Sequence, residues 1–384
     1  MLKNKDKGIT LIALVITIII LLILAGISIS ALTNQGLFKN AKAAQNATEK
    51  AEKEQGQRLN EYEDEINKYL GNSKEESKVP TVEESIKKNG ALSTTDNTEL
   101  KDAKNNKIVV PAGFKIVNGA TTVDKGIVIE DVTETATKGS QFVWIPVGTI
   151  TKSDGTTATI TLGRYDFDAT TGKESAYSGS YIEEDANDAS TLKKLGNTIA
   201  KNITKFKNSV ATNGGYYIGR YEARTVTARN AAGNALTQIT EKGTENIYNY
   251  VTQLQAAQLS QNMYNSDKFT SDLMNSYAWD TATVFIQNCG TNSKYSRQNS
   301  LNTSLSQTGT NSLTDTSKTD VQCNIYDMAS NIWEWTTETS FISSFPCVIR
   351  GGSYGISHYY TSDRDGNGTS SSDGRRGFRP LLYL

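Results

Sequence analysis

The hydrophobic pattern divides the chain into an apolar start, a long amphipathic stretch, a polar stretch and a large mixed remainder. Residues 9–32 carry no charged side chain, and about 20 apolar residues in a helix cross the hydrocarbon core of a membrane. Beyond them, mostly apolar side chains recur at three- and four-residue steps, at Leu37, Ala41, Ala44, Thr48, Ala51, Leu59, Tyr62 and Ile66. This spacing is typical of one helix face. We therefore predict a transmembrane and amphipathic helix over residues 9–70, after a leader of residues 1–8.

Charge sets the expected orientation of the predicted span. Lys3, Lys5 and Lys7 precede it against a single Asp6, and basic flanks stay on the cytoplasmic side of a membrane. The bulk of this single-pass protein is therefore expected outside the cell membrane. A cleaved secretory signal is the alternative, although its apolar region is usually shorter, about 7 to 15 residues.

Residues 71–106 are mostly Lys, Glu, Ser, Thr and Asn. Such a composition buries little surface, so we expect a linker with one short helix around residues 82–88.

From residue 107 onward, runs rich in Val, Ile and Thr alternate with turn residues, which favours short strands. Helical periodicity returns at residues 247–259 and 272–287. The mixture predicts an α+β domain over residues 107–384.

Composition excludes several classes of function. The chain has 40 basic and 41 acidic side chains, without a basic block, so a nucleic-acid-binding surface is not expected. His358 is the single histidine, which excludes sites built from several histidines. The cysteines, Cys289, Cys323 and Cys347, are odd in number and widely spaced. They indicate neither a disulfide scaffold nor a CxxC metal site.

The start of the chain carries a motif of its own. Lys7, Gly8 and Ile9 join a basic leader to a β-branched apolar helix, and this arrangement resembles type IV prepilins. The resemblance implies removal of the leader after Gly8, methylation of Ile9 and packing against other pilin-like subunits. Members of that family usually have glutamate at the fifth mature position, where this chain has Ala13. The departure favours a minor, pilin-like subunit over a major filament subunit.

Five passages of the remainder occur together in a characteristic order. They are Gly214–Glu222, Asn275–Ala282, Asn324–Thr336, Ile349–Tyr354 and Gly377–Arg379. Together they resemble the formylglycine-generating enzyme, or sulfatase-modifying factor, family. The resemblance implies a variant of the C-type-lectin-like fold. The expected architecture is therefore α+β, with a transmembrane pilin helix followed by a domain of this type.

Glu334 lies between Trp333 and Trp335. In an extended segment its side chain points away from both rings, so it needs a partner, which is an arginine, Arg350 or Arg379, or a cation. The resemblance implies a calcium ion, and calcium accepts hard oxygen ligands. The implied ligands are the carboxylates of Asp327 and Glu334 and the backbone oxygens of Ser330 and Ile332. The ion pair and the calcium site are both open alternatives.

The resemblance does not extend to catalytic groups. Oxygen-dependent members of the family use two cysteines between the last two motifs, but residues 351–377 contain none. An iron-dependent branch uses three histidines, and this chain has one. We therefore assign no catalytic residue and predict a binding module rather than an enzyme. A membrane-tethered sulfatase-modifying-type enzyme and a pseudopilin of a secretion system are the alternatives.

Residues 354–376 consist almost wholly of Tyr, Ser, Gly, Asp, Asn, Thr and Arg. This composition is typical of adaptable recognition loops. The predicted ligand-binding residues are Tyr354, His358, Tyr359, Tyr360, Asp363, Arg364, Asp365, Asn367, Asp373 and Arg375, and the expected ligand is an external protein or glycan. Lys, Glu, Gln, Met and Trp are absent from Gly351 onward. The segment is thus similar to those diversified by diversity-generating retroelements, and chance composition is the alternative.

Overall fold

The computed structural model describes residues 79–185, 198–233, 238–264, 266–306 and 320–384, and single positions between Leu21 and Tyr62. The chain divides into two compact units, Met1–Lys78 and Val79–Leu384. In the first unit, the described positions between 47 and 62 are helical. The predicted processing site, Gly8 and Ile9, lies outside the described residues.

The second unit is built mainly from short strands. In chain order they are β1 (Thr98–Lys101), β2 (Lys107–Val110), β3 (Phe114–Ile116), β4 (Val128–Asp131), β5 (Gln141–Pro146), β6 (Gly148–Thr151), β7 (Thr157–Ile160), β8 (Tyr165–Phe167), β9 (Glu174–Ala176), β10 (Gly215–Gly219), β11 (Arg224–Thr225), β12 (Asn246–Ile247), β13 (Thr270–Leu273), β14 (Val321–Gln322), β15 (Ile325–Tyr326), β16 (Trp333–Thr339), β17 (Cys347–Arg350), β18 (Arg364–Asn367), β19 (Arg376–Phe378) and β20 (Pro380–Tyr383).

Two larger sheets organise these strands. The first has six strands in the order β13-β20-β10-β5-β4-β3, and all its neighbouring pairs are antiparallel. The second has four strands in the order β18-β17-β16-β19, of which β16 and β19 are parallel. The pairs β1-β2, β6-β7, β8-β9, β11-β12 and β14-β15 form two-stranded sheets.

The helices of the described residues in this unit are few and short: α1 (Val82–Ile86), α2 (Ile203–Asn213), α3 (Gln253–Gln261) and α4 (Ser276–Cys289). Each begins after a residue whose side chain accepts a backbone N–H of the first turn, which satisfies a donor that the helix itself leaves unpaired. The middle of α4 is buried, with Trp279 and Phe285 in the core. That core is shared with β5, whose Trp144 ring lies 4.9 Å from the Tyr217 ring of β10.

The predicted architecture, an α+β class with a transmembrane pilin helix and a formylglycine-generating-enzyme-type domain, is wrong. The described residues form mostly β-sheet, because the many short Val-, Ile- and Thr-rich runs all pair as strands. In the part of the second unit that the structure describes, the α-helices are α2, α3 and α4 beside the short α1. Among the described positions, no helix combines the length and the apolar character that a bilayer crossing requires. Of the predicted span, Leu21 alone is described.

The predicted linker, residues 71–106, also differs from what the structure shows. Its part from Val79 onward belongs to the second unit, and β1 pairs along its whole length with β2. Val82 and Leu100 of this stretch are fully inside the core, and Ile86 and Leu92 pack against it while partly exposed. A polar stretch can thus join a core through a few apolar side chains.

Candidate ligand-binding site

The predicted recognition segment, residues 354–376, runs between the two edges of the four-stranded sheet. At its middle, β18 forms one edge and pairs antiparallel with β17, with Arg364 opposite Arg350. At its end, β19 begins the other edge, with Arg376 opposite Trp333. The segment is therefore fixed by backbone pairing at two places and not by its own side chains alone.

Most of the predicted binding residues reach the surface. His358 and Arg375 are exposed, and the partly exposed ones are Tyr354, Tyr359, Tyr360, Asp363, Asp365 and Asp373. Two are not available in the same way. Asn367 is buried, and the side chain of Arg364 is only 7% exposed. The sequence pattern could not distinguish these inward positions from their neighbours.

Arg364 belongs to a set of ion pairs that we call the arginine network: Arg164, Arg350 and Arg364 with Asp280 and Glu338. Arg350 lies 2.6 Å from Asp280 and 3.2 Å from Glu338. Arg364 Nε lies 2.7 Å from Glu338 Oε1, and the same guanidinium also pairs with Asp280. Arg164 pairs with Glu338. The guanidinium of Arg364 is thus already paired with carboxylates of the protein. We predicted that Arg364 contacts the ligand directly, whereas this pairing favours a role in holding neighbouring side chains in place.

The electrostatics of the arginine network follow from its excess of cations. Burial alone would raise the pKa of Glu338, but the guanidinium groups of Arg364, Arg350 and Arg164 outweigh burial and hold that pKa below its ordinary value. Glu338 is therefore ionised at neutral pH. The arginine network is thus a buried group of charged side chains, in which three guanidinium groups surround two carboxylates.

A surface cleft of about 360 Å³ opens above the arginine network. Side chains from three distant parts of the chain contribute to its lining, among them Asp166, Phe167, Tyr177, Tyr181, Arg297 and Asp363. The ring of Tyr177 is held by two members of the arginine network, since Arg164 Cζ and Arg364 Cζ each lie 4.3 Å from its centroid. Such cation–π contacts fix an aromatic side chain in place.

Two residues of the predicted set, Asp363 and Arg364, line the cleft, but sequence reasoning missed the opposite wall. Residues 177–181 read Tyr-Ser-Gly-Ser-Tyr, which is the same residue chemistry that marked residues 354–376. That composition was the available signal. The contact between the two walls, about 180 positions apart, was not visible in any local pattern.

Beside the cleft, aromatic rings and arginines form a second grouping, which we call the aromatic row. His358 and Tyr359 have ring centroids 4.8 Å apart, and Tyr359 meets Trp333 edge-on at 5.4 Å. Arg376 Cζ lies 5.7 Å from the Trp333 ring on the far side of the row. Tyr359 Oη donates to Asp365 at 3.4 Å. The row joins residues that the sequence predicted as separate contacts.

Four further predicted residues, Tyr354, Asn367, Asp373 and Arg375, make contacts with arginines or with an aromatic ring of the same segment. Arg375 Cζ lies 5.1 Å from the ring of Tyr354, and Asp373 pairs with Arg376. Arg376 also donates to Asn367 Oδ1 at 2.7 Å. These contacts preorganise the surface, because each arginine is held before any ligand arrives.

The residues of the predicted calcium site do not fit a calcium ion as they are arranged. Both oxygens of Glu334 accept from Arg379, at 2.5 and 3.1 Å. Within the described part of the chain, no three Asp, Glu, His or Cys side chains are grouped to hold a metal ion. The alternative that we left open, an ion pair between Glu334 and Arg379, is the observed arrangement.

Glu334 is part of a buried acidic cluster, which comprises Glu222, Glu241, Asp320, Asp327 and Glu334 with Arg224 and Arg379. Carboxyl groups outnumber arginines here. Burial raises the pKa of Glu222 and of Glu241 well above the ordinary value. Burial, assisted by the charge of Asp320, raises the pKa of Asp327 to about 7. The acidic cluster is thus partly protonated at neutral pH.

The three cysteines are free thiols, and burial raises the pKa of each. It reaches about 12 for Cys289 and Cys347, and the pKa of Cys323 is raised further. Because the thiolate is the nucleophilic form of cysteine, burial disfavours the nucleophilic form of each of these groups.

No family model matches the chain, and no curated protein matches it. Among solved structures, Treponema denticola variable protein 1 matches at 12% identity and a TM-score of 0.32. The match covers 65% of this chain and 98% of that chain. At that score the likeness carries no conclusion about fold or function. Neither the prepilin resemblance nor the formylglycine-generating-enzyme resemblance gains support from these comparisons.

Proposed function

We propose that the unit Val79–Leu384 is a ligand-binding module and that an external ligand binds across the cleft and the aromatic row. The observation that carries this proposal is the cleft itself. Aromatic side chains and polar groups line it together with Arg364, which is paired within the arginine network. Binding sites generally combine apolar walls with a few placed polar groups.

Rigidity supports the proposal. Tyr177 lies against two guanidinium groups, and the aromatic row is held by Arg376 and Asp365. Side chains fixed in this way lose little entropy when a ligand binds, and preorganisation of this kind favours affinity. A flexible polar loop would not offer the same advantage.

We favour this function over the enzyme alternative, because residues 351–377, where the resembled enzymes have their two cysteines, contain none. The position outside the cell membrane, the pilin-like partners and the retroelement-driven diversification stay predictions from sequence. They depend on residues 1–70 and on composition, which the fold of the second unit does not address.

The test is to apply the fluorescently labelled full chain to two printed surfaces, an array of glycans and an array of extracellular-matrix proteins. We expect saturable binding on one of them. Replacement of a cleft wall residue, Tyr181→Ala, is expected to weaken that binding at least about tenfold, as loss of a buried aromatic contact does.

Val226→Ser is the matched control, because Val226 is a 77% exposed apolar residue that does not line the cleft. It should bind like the unaltered chain. Absence of binding on both arrays, or equal binding by Tyr181→Ala, would show that the cleft is not a ligand site.

A further inference from the structure

Two carboxylates on the cleft each keep one oxygen free of any partner within the described residues. Asp166 Oδ2 accepts from the N–H and the hydroxyl of Ser178, both at 2.8 Å. Asp363 Oδ2 accepts from the N–H of Tyr360 at 2.9 Å. Both residues line the cleft, and in both the second oxygen, Oδ1, accepts no hydrogen bond within the described residues.

One arginine of the cleft is also without a polar partner in the described part of the chain. The guanidinium of Arg297 lies 3.9 Å from the centroid of the Tyr360 ring, and its Nε is buried with no hydrogen bond. It differs in this from Arg164 and Arg364, which are paired within the arginine network. The terminal Nη1 and Nη2 atoms of Arg297 also make no hydrogen bond within the described residues, and because Arg297 lines the cleft, these atoms are the donors that a ligand can use.

The combination of free donors and free acceptors limits the ligand. The carboxylates of Asp166 and Asp363 would repel an anionic group, and the guanidinium of Arg297 would repel a cationic group. A purely apolar group would desolvate all three charges without replacing their hydrogen bonds, which is costly. An uncharged ligand that both donates and accepts satisfies every group at once.

The walls and the size of the cleft add two conditions. Phe167, Tyr177 and Tyr181 supply aromatic carbon, so one part of the ligand is apolar. The volume of about 360 Å³ lies near the lower end of ligand pockets, roughly 300 to 1,000 Å³. The occupant is therefore a small unit or the terminal unit of a longer chain.

We infer that the cleft binds a carbohydrate, with one uncharged sugar ring between the aromatic wall and the charged groups. Hydroxyls of the ring donate to Asp166 Oδ1 and Asp363 Oδ1 and accept from Arg297, and its C–H face packs on the aromatic wall. This inference rests on the proposed function and names the ligand class of the same site.

The experiment uses the labelled full chain on a printed array of neutral and acidic glycans beside printed extracellular-matrix proteins. We expect binding to glycans with an uncharged terminal sugar. Asp166→Asn and Asp363→Asn should each weaken it at least about tenfold, because each loses an acceptor of a charge-assisted hydrogen bond.

Asp154→Asn is the matched control. Asp154 Oδ1 accepts from the N–H and the hydroxyl of Thr156, the same pattern as at Asp166, but Asp154 does not line the cleft. This variant should bind as the unaltered chain does, which separates the loss of a cleft acceptor from the loss of a turn contact.

The outcomes separate this inference from the function on which it rests. Binding to matrix proteins alone would overturn the carbohydrate inference and keep the ligand-binding module. Glycan binding that Asp166→Asn and Asp363→Asn leave unchanged would overturn the placement in the cleft. Binding to neither array would overturn both.

Discussion

The arginine network and the acidic cluster lie in the same unit, and each combines arginines with carboxyl groups away from solvent. In the arginine network three arginines share two carboxylates, Asp280 and Glu338. In the acidic cluster five carboxyl groups share Arg224 and Arg379. The pKa of Glu338 is lowered, whereas the pKa of Asp327 is raised to about 7.

The difference shows that burial does not by itself decide the charge of a group. Burial acts to raise the pKa of Glu338 and of the carboxyl groups in the acidic cluster alike. The local ratio of arginines to carboxyl groups decides whether that effect is overcome. The arginine network stays ionised and can hold the cleft in one geometry. The acidic cluster binds protons instead, and this makes its stability depend on pH.

The largest expected effect comes from Glu338→Gln, which leaves three arginines with one carboxylate. Removing one partner of a buried ion pair costs about 3–5 kcal/mol, so we expect a loss of that order in the free energy of unfolding. Urea denaturation at pH 8 measures it. The control is Glu134→Gln, since Glu134 is 85% exposed in its pair with Lys138 and should matter little. Equal losses of unfolding free energy in the two variants would show that the buried arginine network stabilises the fold no more than a surface ion pair does.

Arg364→Lys keeps the positive charge at this position but removes the planar guanidinium that contacts two carboxylates at once. Lysine is a point charge and cannot bridge Asp280 and Glu338 as the guanidinium does. We expect a loss of about 1.5–3 kcal/mol, the usual contribution of a hydrogen bond to a charged group. Arg375→Lys, at an exposed arginine, serves as the control in the same urea titration. No loss in Arg364→Lys would mean that net charge alone stabilises the network.

Asp327→Asn is expected to increase the free energy of unfolding at pH 8, whereas the two substitutions above decrease it. Folding raises the pKa of Asp327 from 3.8 to about 7, so its contribution to stability is full below pH 3.8 and is lost as the pH rises through about 7. An asparagine stays uncharged and also tolerates the left-handed backbone, φ 60°, at this position. At pH 8 the variant should be more stable by about 1–2 kcal/mol. Thermal unfolding should show the gap closing near pH 4; a constant gap would contradict the raised pKa.

The smallest expected effect is that of calcium. Because Arg379 occupies both oxygens of Glu334, calcium chloride and a chelator should give the same melting temperature for the full chain. A ligand that binds only the folded state would raise that temperature. A rise with calcium that Asp327→Asn abolishes would show that a cation, and not protons, balances the acidic cluster.

Local sequence pattern predicted elements better than architecture. The periodicity at 272–287 is confirmed by α4 from Ser276 onward, but residues 270–273 form β13. That strand exists because it pairs with β20, more than a hundred residues away. Sheet order, and with it the mainly β character of the fold, depends on such pairings and leaves no mark in a local window.

The same limit applies to the site. Composition marked residues 354–376 and so identified Asp363 on the cleft, Tyr359 in the aromatic row and Tyr360, whose ring contacts Arg297 of the cleft. It could not indicate that Arg364 turns inward, because an arginine in a polar loop looks alike whether it faces solvent or a buried carboxylate. Arg297 lay outside every motif, and only its position beside Tyr360 gives it a role.

The most direct test of this comparison is the free energy of unfolding of Glu338→Gln and Asp327→Asn, measured side by side with the unaltered chain at pH 8. Both substitutions remove one negative charge from a buried cluster. If the charge ratio governs each cluster, the first variant is less stable than the unaltered chain and the second is more stable. A change of the same sign in both would contradict it.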